Sequence, residues 1–339
     1  MSIRDFDEVD KAIWKYNKIT YEPVFWDYVH KFSGGLREAI RDSSHEVDIV
    51  RKVVHQLRGF EVRGRNGVTL STSTAFIHGK IMASFDFKGD NVRRELGDLI
   101  FILSVVYRNL IFFEKLTISQ AKVTRNGVWD LSNEAQLYLL SRFPPFKISG
   151  RGREYRLPNY TYTLGSYTLF DLRENDLVYI SARLLDDIVS ANDSRVERVN
   201  REDLFWCDYY SLYLRYHRNW YVPWLLDLPT FIPPPLLSGE VLGVSLCSLD
   251  AFGFASNFLR GFVGEPAFSA MGYYNCSIAS FLQKLISYFK GKKCFEDFVQ
   301  LFTRYDYPYD VPDPEGIEIE ERGGEGGTGI IYTVINLGE

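Results

Sequence analysis

The chain has 339 residues, 46% hydrophobic and 24% charged, enough apolar surface for one large domain or two smaller ones. Its formal net charge of −5 excludes a passive nucleic-acid coat, which must neutralise phosphates broadly, but is compatible with an enzyme that has a local basic cleft. The four cysteines, Cys207, Cys247, Cys276 and Cys294, form no C-x-x-C pair and no zinc spacing with histidine. They read as buried thiols in a reducing cytoplasmic setting.

The start, M-S-I-R-D-F-D-E, lacks the apolar core of a signal peptide. No window reaches the 18 or so uncharged apolar residues of a membrane span, so no membrane partner is expected. Aromatics among charges in residues 1–35 predict a short helix or two lying over the core. Ser43 and Glu46 fit a capping box. Val47, Val50, Val53, Val54 and Leu57 follow at helical spacing, and Gly59 ends the segment. Residues 67–73 and 75–87 read as strands. Basic residues cluster at 58–65, at Arg93–Arg94 and at 147–156, where they are either solvated loops or contacts to phosphates.

Two apolar runs, 99–107 and 110–123, flank the polar break Arg108-Asn109, which predicts a β-hairpin. Asp98 precedes the first run, and Gln120-Ala121-Lys122 closes the second. Residues two apart on a strand share a face, so Gln120 and Lys122 project together, and the neighbouring strand can bring Asp98 beside them. The plainer reading is a turn acid and the solvent side of an edge strand. After a turn at 124–127, Ser132 or Asn133 caps a helix that Pro144 ends. Glu134 and Gln136 early in this helix, and Glu95 before Asp98, either approach the same place or ride the surface.

Asp98 with Gln120-x-Lys122 resembles the D…(E/Q)-x-K motif of the PD-(D/E)xK nuclease superfamily. The order helix, strands, acid-bearing strand, Q-x-K strand, helix resembles that superfamily's core over about residues 40–147. Two departures stand out: Gly97 replaces the proline before the acid, and Gln120 removes one negative charge.

The resemblance implies an α/β (α+β) restriction-endonuclease-like fold, a central mixed sheet flanked by helices. It implies a catalytic set of Asp98, Gln120, Lys122 and Glu46. Glu46 would be the extra acid of the helix before the hairpin, although a capping box explains it equally well. Mg²⁺ (or Mn²⁺) would be held by Asp98, the Gln120 side-chain oxygen and the Ala121 carbonyl, all hard oxygen donors. Lys122 would orient the attacking water and stabilise the transition state. Arg125, Arg151 and Arg153 are candidates to bind the substrate. The implied activity is a Mg²⁺-dependent endodeoxyribonuclease acting on DNA in restriction or antiviral defence, gated by sequence, modification or a partner protein. The alternative is a catalytically inactive nuclease-fold subunit of a defence complex.

Residues 1–150 are therefore expected to form the nuclease domain. Residues 151–339 are expected to form an aromatic-rich α+β domain for substrate or partner recognition. In that half, 155–170 and 177–185 read as strands, and 186–203 as a loop or short surface helix. Tyr209, Tyr213, Tyr216 and Trp220 keep helical spacing, which favours a core helix over a base-stacking surface. Pro229–Pro235 breaks the chain, 252–268 and 278–289 read as helices, and a glycine-rich segment at 323–329 precedes a last strand at 330–337.

Overall fold

The computed structural model describes residues 3–148, 154–159, 162–190, 196–205, 249–269, 273–290, 292, 295–307 and 326–338. Three helices come first: α1 (Ile3–Ile19), α2 (Pro23–Ile40) and α3 (Glu46–Gln56). Pro23 suits the first turn of α2, where its missing N–H is not needed. Phe25, Tyr28, Val29, Phe32 and Leu36 form the buried stripe of α2, the spacing of a helix lying on a core. The cap of α3 is His45, whose Nδ1 accepts from the Asp48 N–H at 3.3 Å. The expected Ser43 cap does not form. Ser43 lies just behind the end of α2, and its hydroxyl donates to the Ala39 carbonyl at 2.7 Å.

The next elements are β1 (Glu61–Arg63), β2 (Thr69–His78), β3 (Met82–Phe87), β4 (Asp90–Glu95), β5 (Leu99–Tyr107), β6 (Leu110–Thr124), β7 (Val128–Asp130) and α4 (Glu134–Arg142). Strand β5 is buried along its whole length, as expected of a continuous apolar run covered on both faces. Arg108 and Asn109 take positive φ values of 50° and 66°, giving the two-residue turn that suits the twist of a hairpin. Asn133 caps α4, accepting from the Gln136 N–H at 3.2 Å.

Then follow β8 (Phe146–Ile148), β9 (Glu154–Tyr155), β10 (Gly165–Asp171), β11 (Asp176–Ser181), α5 (Ala182–Val189), β12 (Arg198–Asn200) and α6 (Arg201–Phe205). The last described elements are α7 (Ala251–Leu259), β13 (Glu265–Ser269), β14 (Tyr273–Tyr274), α8 (Cys276–Ser287), α9 (Glu296–Thr303) and β15 (Gly327–Asn336).

The architecture is mixed α/β: a central mixed sheet with helices on both faces. Nine described strands form this sheet, with the order β1-β2-β15-β5-β6-β10-β11; β13 also pairs with β6, and β14 with β13. Strand β15 is antiparallel to β2 and parallel to β5, and β10 is parallel to β6. One face packs Ile100, Ile102, Leu116 and Ile118 against Leu139, Leu185 and Leu282 of α4, α5 and α8. The other packs Leu99, Phe101 and Leu103 against Phe32, Val53 and Phe254 of α2, α3 and α7. A separate four-stranded sheet, β4-β3-β8-β9, stands beside it.

The expected boundary at residue 150 falls inside this architecture. Strands β10, β11 and β15 hydrogen-bond into the same sheet as β2, β5 and β6. The apolar sequences of β10 and β15 are buried on both faces, which requires neighbours on both sides.

Other local expectations shift as well. The strand expected over 75–87 divides, because β2 ends at His78 and β3 begins at Met82. The strand expected over 177–185 stops at Ser181, which caps α5 through Leu184 N–H at 3.3 Å. The helix expected over 252–268 stops at Leu259, and Gly261 and Gly264, at φ of 70° and 94°, turn the chain into β13. The aromatic stretch from Trp206 to Trp224, the proline run, and Gly323 and Gly324 lie outside the described residues. Among the described residues no helix is long and apolar enough to cross a membrane.

Candidate active site

The backbone of Asp98 is clamped between two strands at the start of β5. Its N–H donates to the Ser119 carbonyl on β6 at 2.9 Å, and its carbonyl accepts from the Gly329 N–H on β15 at 2.8 Å. Gly97 makes this approach possible. A Cβ there would lie 2.7 Å from Ile118 Cγ2 and 3.1 Å from the Ser119 carbonyl oxygen.

The β5–β6 register sets Leu99 opposite Ser119, so Asp98 lies level with Gln120. Asp98 Oδ2 accepts from the Ala121 N–H at 2.8 Å and from Gln120 Nε2. Gln120 is only 6% exposed, yet its Oε1 is buried with no hydrogen-bond partner among the described residues. Such a group carries a desolvation cost of about 1–3 kcal/mol. Lys122, two residues on, projects from the same face, and its Nζ donates to Glu46 Oε1 at 3.2 Å. Glu46 is the first residue of α3. Burial pushes the Asp98 carboxyl up to about 6, Glu46 adds to the rise, and the Ala121 N–H, Lys122 and Lys80 oppose it.

These four side chains line a cleft of about 320 Å³. Its other walls carry Lys80, Arg93, Arg94, Glu95, Asp130, Gln136 and Tyr167. Lys80 is paired with Glu95. Gln136 Nε2 donates to the Glu95 carbonyl at 2.9 Å. Tyr167 lies beside Gln120 in the β10–β6 register. The lining thus has four carboxylates (Glu46, Glu95, Asp98, Asp130) and four cations (Lys80, Arg93, Arg94, Lys122), which balance in charge.

Asp98, Gln120, Lys122 and Glu46, read from the sequence, come together, and Gln136 and Glu95 join them. Ala121 contributes its N–H to Asp98. Arg125 does not line the cleft. It sits on the exposed turn after β6, and its Nη2 reaches the Ser44 carbonyl at 3.4 Å. Arg151 and Arg153 lie outside the described residues. Lys80, Asp130 and Tyr167 were not anticipated. They come from a strand break, a short edge strand and a strand whose partner is set by a distant crossover, and none leaves a local sequence signal.

Among the described residues there is no group of three or more His, Cys, Asp or Glu able to hold a metal. The donors at Asp98 are one carboxylate and one unpartnered amide oxygen. That set fits a hard cation that keeps most of its waters, as Mg²⁺ does. Comparison with protein-family models, curated proteins and solved structures finds no match to this chain.

Proposed function

We propose that this chain is a divalent-metal-dependent nuclease of restriction-endonuclease-like fold that hydrolyses phosphodiester bonds in DNA. The observation that carries the reading is the convergence of Asp98, Gln120, Lys122 and Glu46 at the shared end of β5 and β6. The order of α3, the strands through β5 and β6, and α4 supports the reading.

Asp98 and the free oxygen of Gln120 would hold Mg²⁺ or Mn²⁺. When bound, the ion lowers the pKa of a coordinated water and offsets charge on the scissile phosphate. Lys122 supplies a second positive charge and hydrogen-bond donors for the phosphate oxygens as charge develops. Glu46 positions the lysine through the 3.2 Å contact. The strands fix the backbone, so little reorganisation is needed at the moment of reaction.

A second reading, a nuclease-fold subunit without activity, is favoured by one observation. The cleft is charge-balanced as it stands, and both of its lysines are tied to carboxylates.

One experiment separates the two. Wild type and Lys122→Ala are incubated with plasmid, linear duplex, single-stranded DNA and RNA in Mg²⁺, Mn²⁺ or EDTA. The expected result is metal-dependent DNA cutting by wild type that falls by about 10²-fold or more in the variant. Cutting that survives Lys122→Ala places the active site elsewhere. No cutting by a folded wild type supports the inactive subunit.

A further inference from the structure

Arg94 differs from the other cations of the cleft whose partners are defined. Lys122 meets Glu46 and Lys80 meets Glu95, so both charges are offset in place. Of the nearby acids, Glu134 pairs with Lys88, and Asp130 Oδ1 accepts from the Ser132 N–H at 2.9 Å. Among the described residues Arg94 has only neutral partners. Its Nε donates to Asn133 Oδ1 at 3.1 Å and its Nη1 to the Arg93 carbonyl at 2.8 Å.

Asn133 Oδ1 also caps α4, so one oxygen fixes both the helix start and the guanidinium. A guanidinium has five N–H donors, and the two bonds above leave most of the fork uncommitted. Arg94 is half-buried on the wall of the same cleft that holds the unpartnered oxygen of Gln120. A fixed, planar cation whose hydrogen-bond partners are neutral is suited to grip a phosphate with two donors at once.

We propose that Arg94 binds a second backbone phosphate of the nucleic-acid substrate, distinct from the one positioned at Asp98. The inference rests on the nuclease reading and adds to it. Arg94 is the cleft's resting anion grip, while Lys80 and Lys122 rest against Glu95 and Glu46. The small sheet β4-β3-β8-β9, which carries Arg94, then serves to bring a phosphate contact to the central sheet.

The test uses the full chain and a fluorescent duplex oligonucleotide. Binding is measured by anisotropy in Ca²⁺ and in EDTA across about 50 to 200 mM salt. Wild type, Arg94→Ala, Arg94→Lys and Lys80→Ala are compared, with circular dichroism and thermal melts as folding controls. Arg94→Ala is expected to weaken binding about tenfold and to lower the salt slope by about one. Arg94→Lys, which keeps the charge but not the planar fork, should retain the slope and recover only part of the affinity. Lys80→Ala should weaken binding less than Arg94→Ala.

Wild-type affinity and slope in Arg94→Ala overturn the proposal. If wild type nevertheless cuts DNA, only the role of Arg94 has failed. If wild type neither binds nor cuts any nucleic acid, the nuclease reading has failed with it. Should Arg94→Ala not fold, Arg94→Lys decides the matter, because full affinity in that variant also overturns the two-donor grip.

Discussion

Replacing Asp98 by Asn removes a charge while keeping the shape of the side chain. The amide oxygen can stand where Oδ2 stands and still accept the Ala121 N–H. Burial holds the Asp98 carboxyl at about 6 instead of its ordinary 3.8. Keeping it ionised in the metal-free protein therefore costs about 3 kcal/mol at most. Asp98 is partly exposed where it lines the cleft, which lowers the expected cost to about 2 kcal/mol. Because the folded protein holds this proton more tightly than the unfolded chain, the cost is absent below about pH 4. It grows as pH rises, and is complete above about pH 6. Asp98→Asn should thus be about 2 kcal/mol more stable than wild type at pH 8 and equal to it at pH 4. Chemical unfolding in EDTA at both pH values measures this directly. Added Mg²⁺ should then stabilise wild type and leave the variant unmoved, because ligand binding to the folded state adds to stability. Equal stability at pH 8, or the same gain at pH 4, would refute the claim that Asp98 is held ionised against its surroundings.

Glu114 offers the same test away from the cleft. It is fully buried, accepts from Ser104 at 2.7 Å and from Tyr307, and burial lifts its carboxyl to about 7. Glu114→Gln should gain up to about 3 kcal/mol above pH 7 and nothing below about pH 4.5, read from melts at the two extremes. The fragment 1–150 should not fold cooperatively, since it lacks β15 and β10 from the middle of the sheet. A dispersed amide spectrum and a sharp melt for that fragment would contradict a central sheet shared by both halves of the chain.

What the sequence disclosed was local. The β5–β6 hairpin was legible because a doubly covered strand is an unbroken apolar run, and Arg108-Asn109 breaks it. The pairing of Asp98 with Gln120 and Lys122 followed from the two-residue period of a strand. Asn133 was legible as a cap because its amide oxygen suits free N–H groups at a helix start. What the sequence concealed was non-local. Nothing in residues 330–337 says that this strand inserts between β2 and β5 and so undoes a division at 150. Lys80 and Arg94 reach the cleft because the chain leaves the main sheet after β2, and β3 and β4 build a second sheet beside it. The cap of α3 at His45, two residues after Ser43, depended on how closely α2 approaches.

The site and the fold meet in β6. This strand bonds to β5 along one edge, and to β13 and then β10 along the other, so its backbone has little freedom. Gln120 and Lys122 inherit that rigidity. Asp98 gains it from opposite directions, through Ser119 on β6 and Gly329 on β15, while the Thr328 hydroxyl donates to the Gly97 carbonyl at 3.2 Å. The last described strand of the chain therefore fixes the residue on which the candidate chemistry depends. Within this frame the chain tolerates two unfavourable features a few atoms apart: a carboxylate that resists ionisation and an amide oxygen with no donor. A cation held by both groups would relieve both at once, and that shared remedy is a physical reason to propose the cleft as a place of binding.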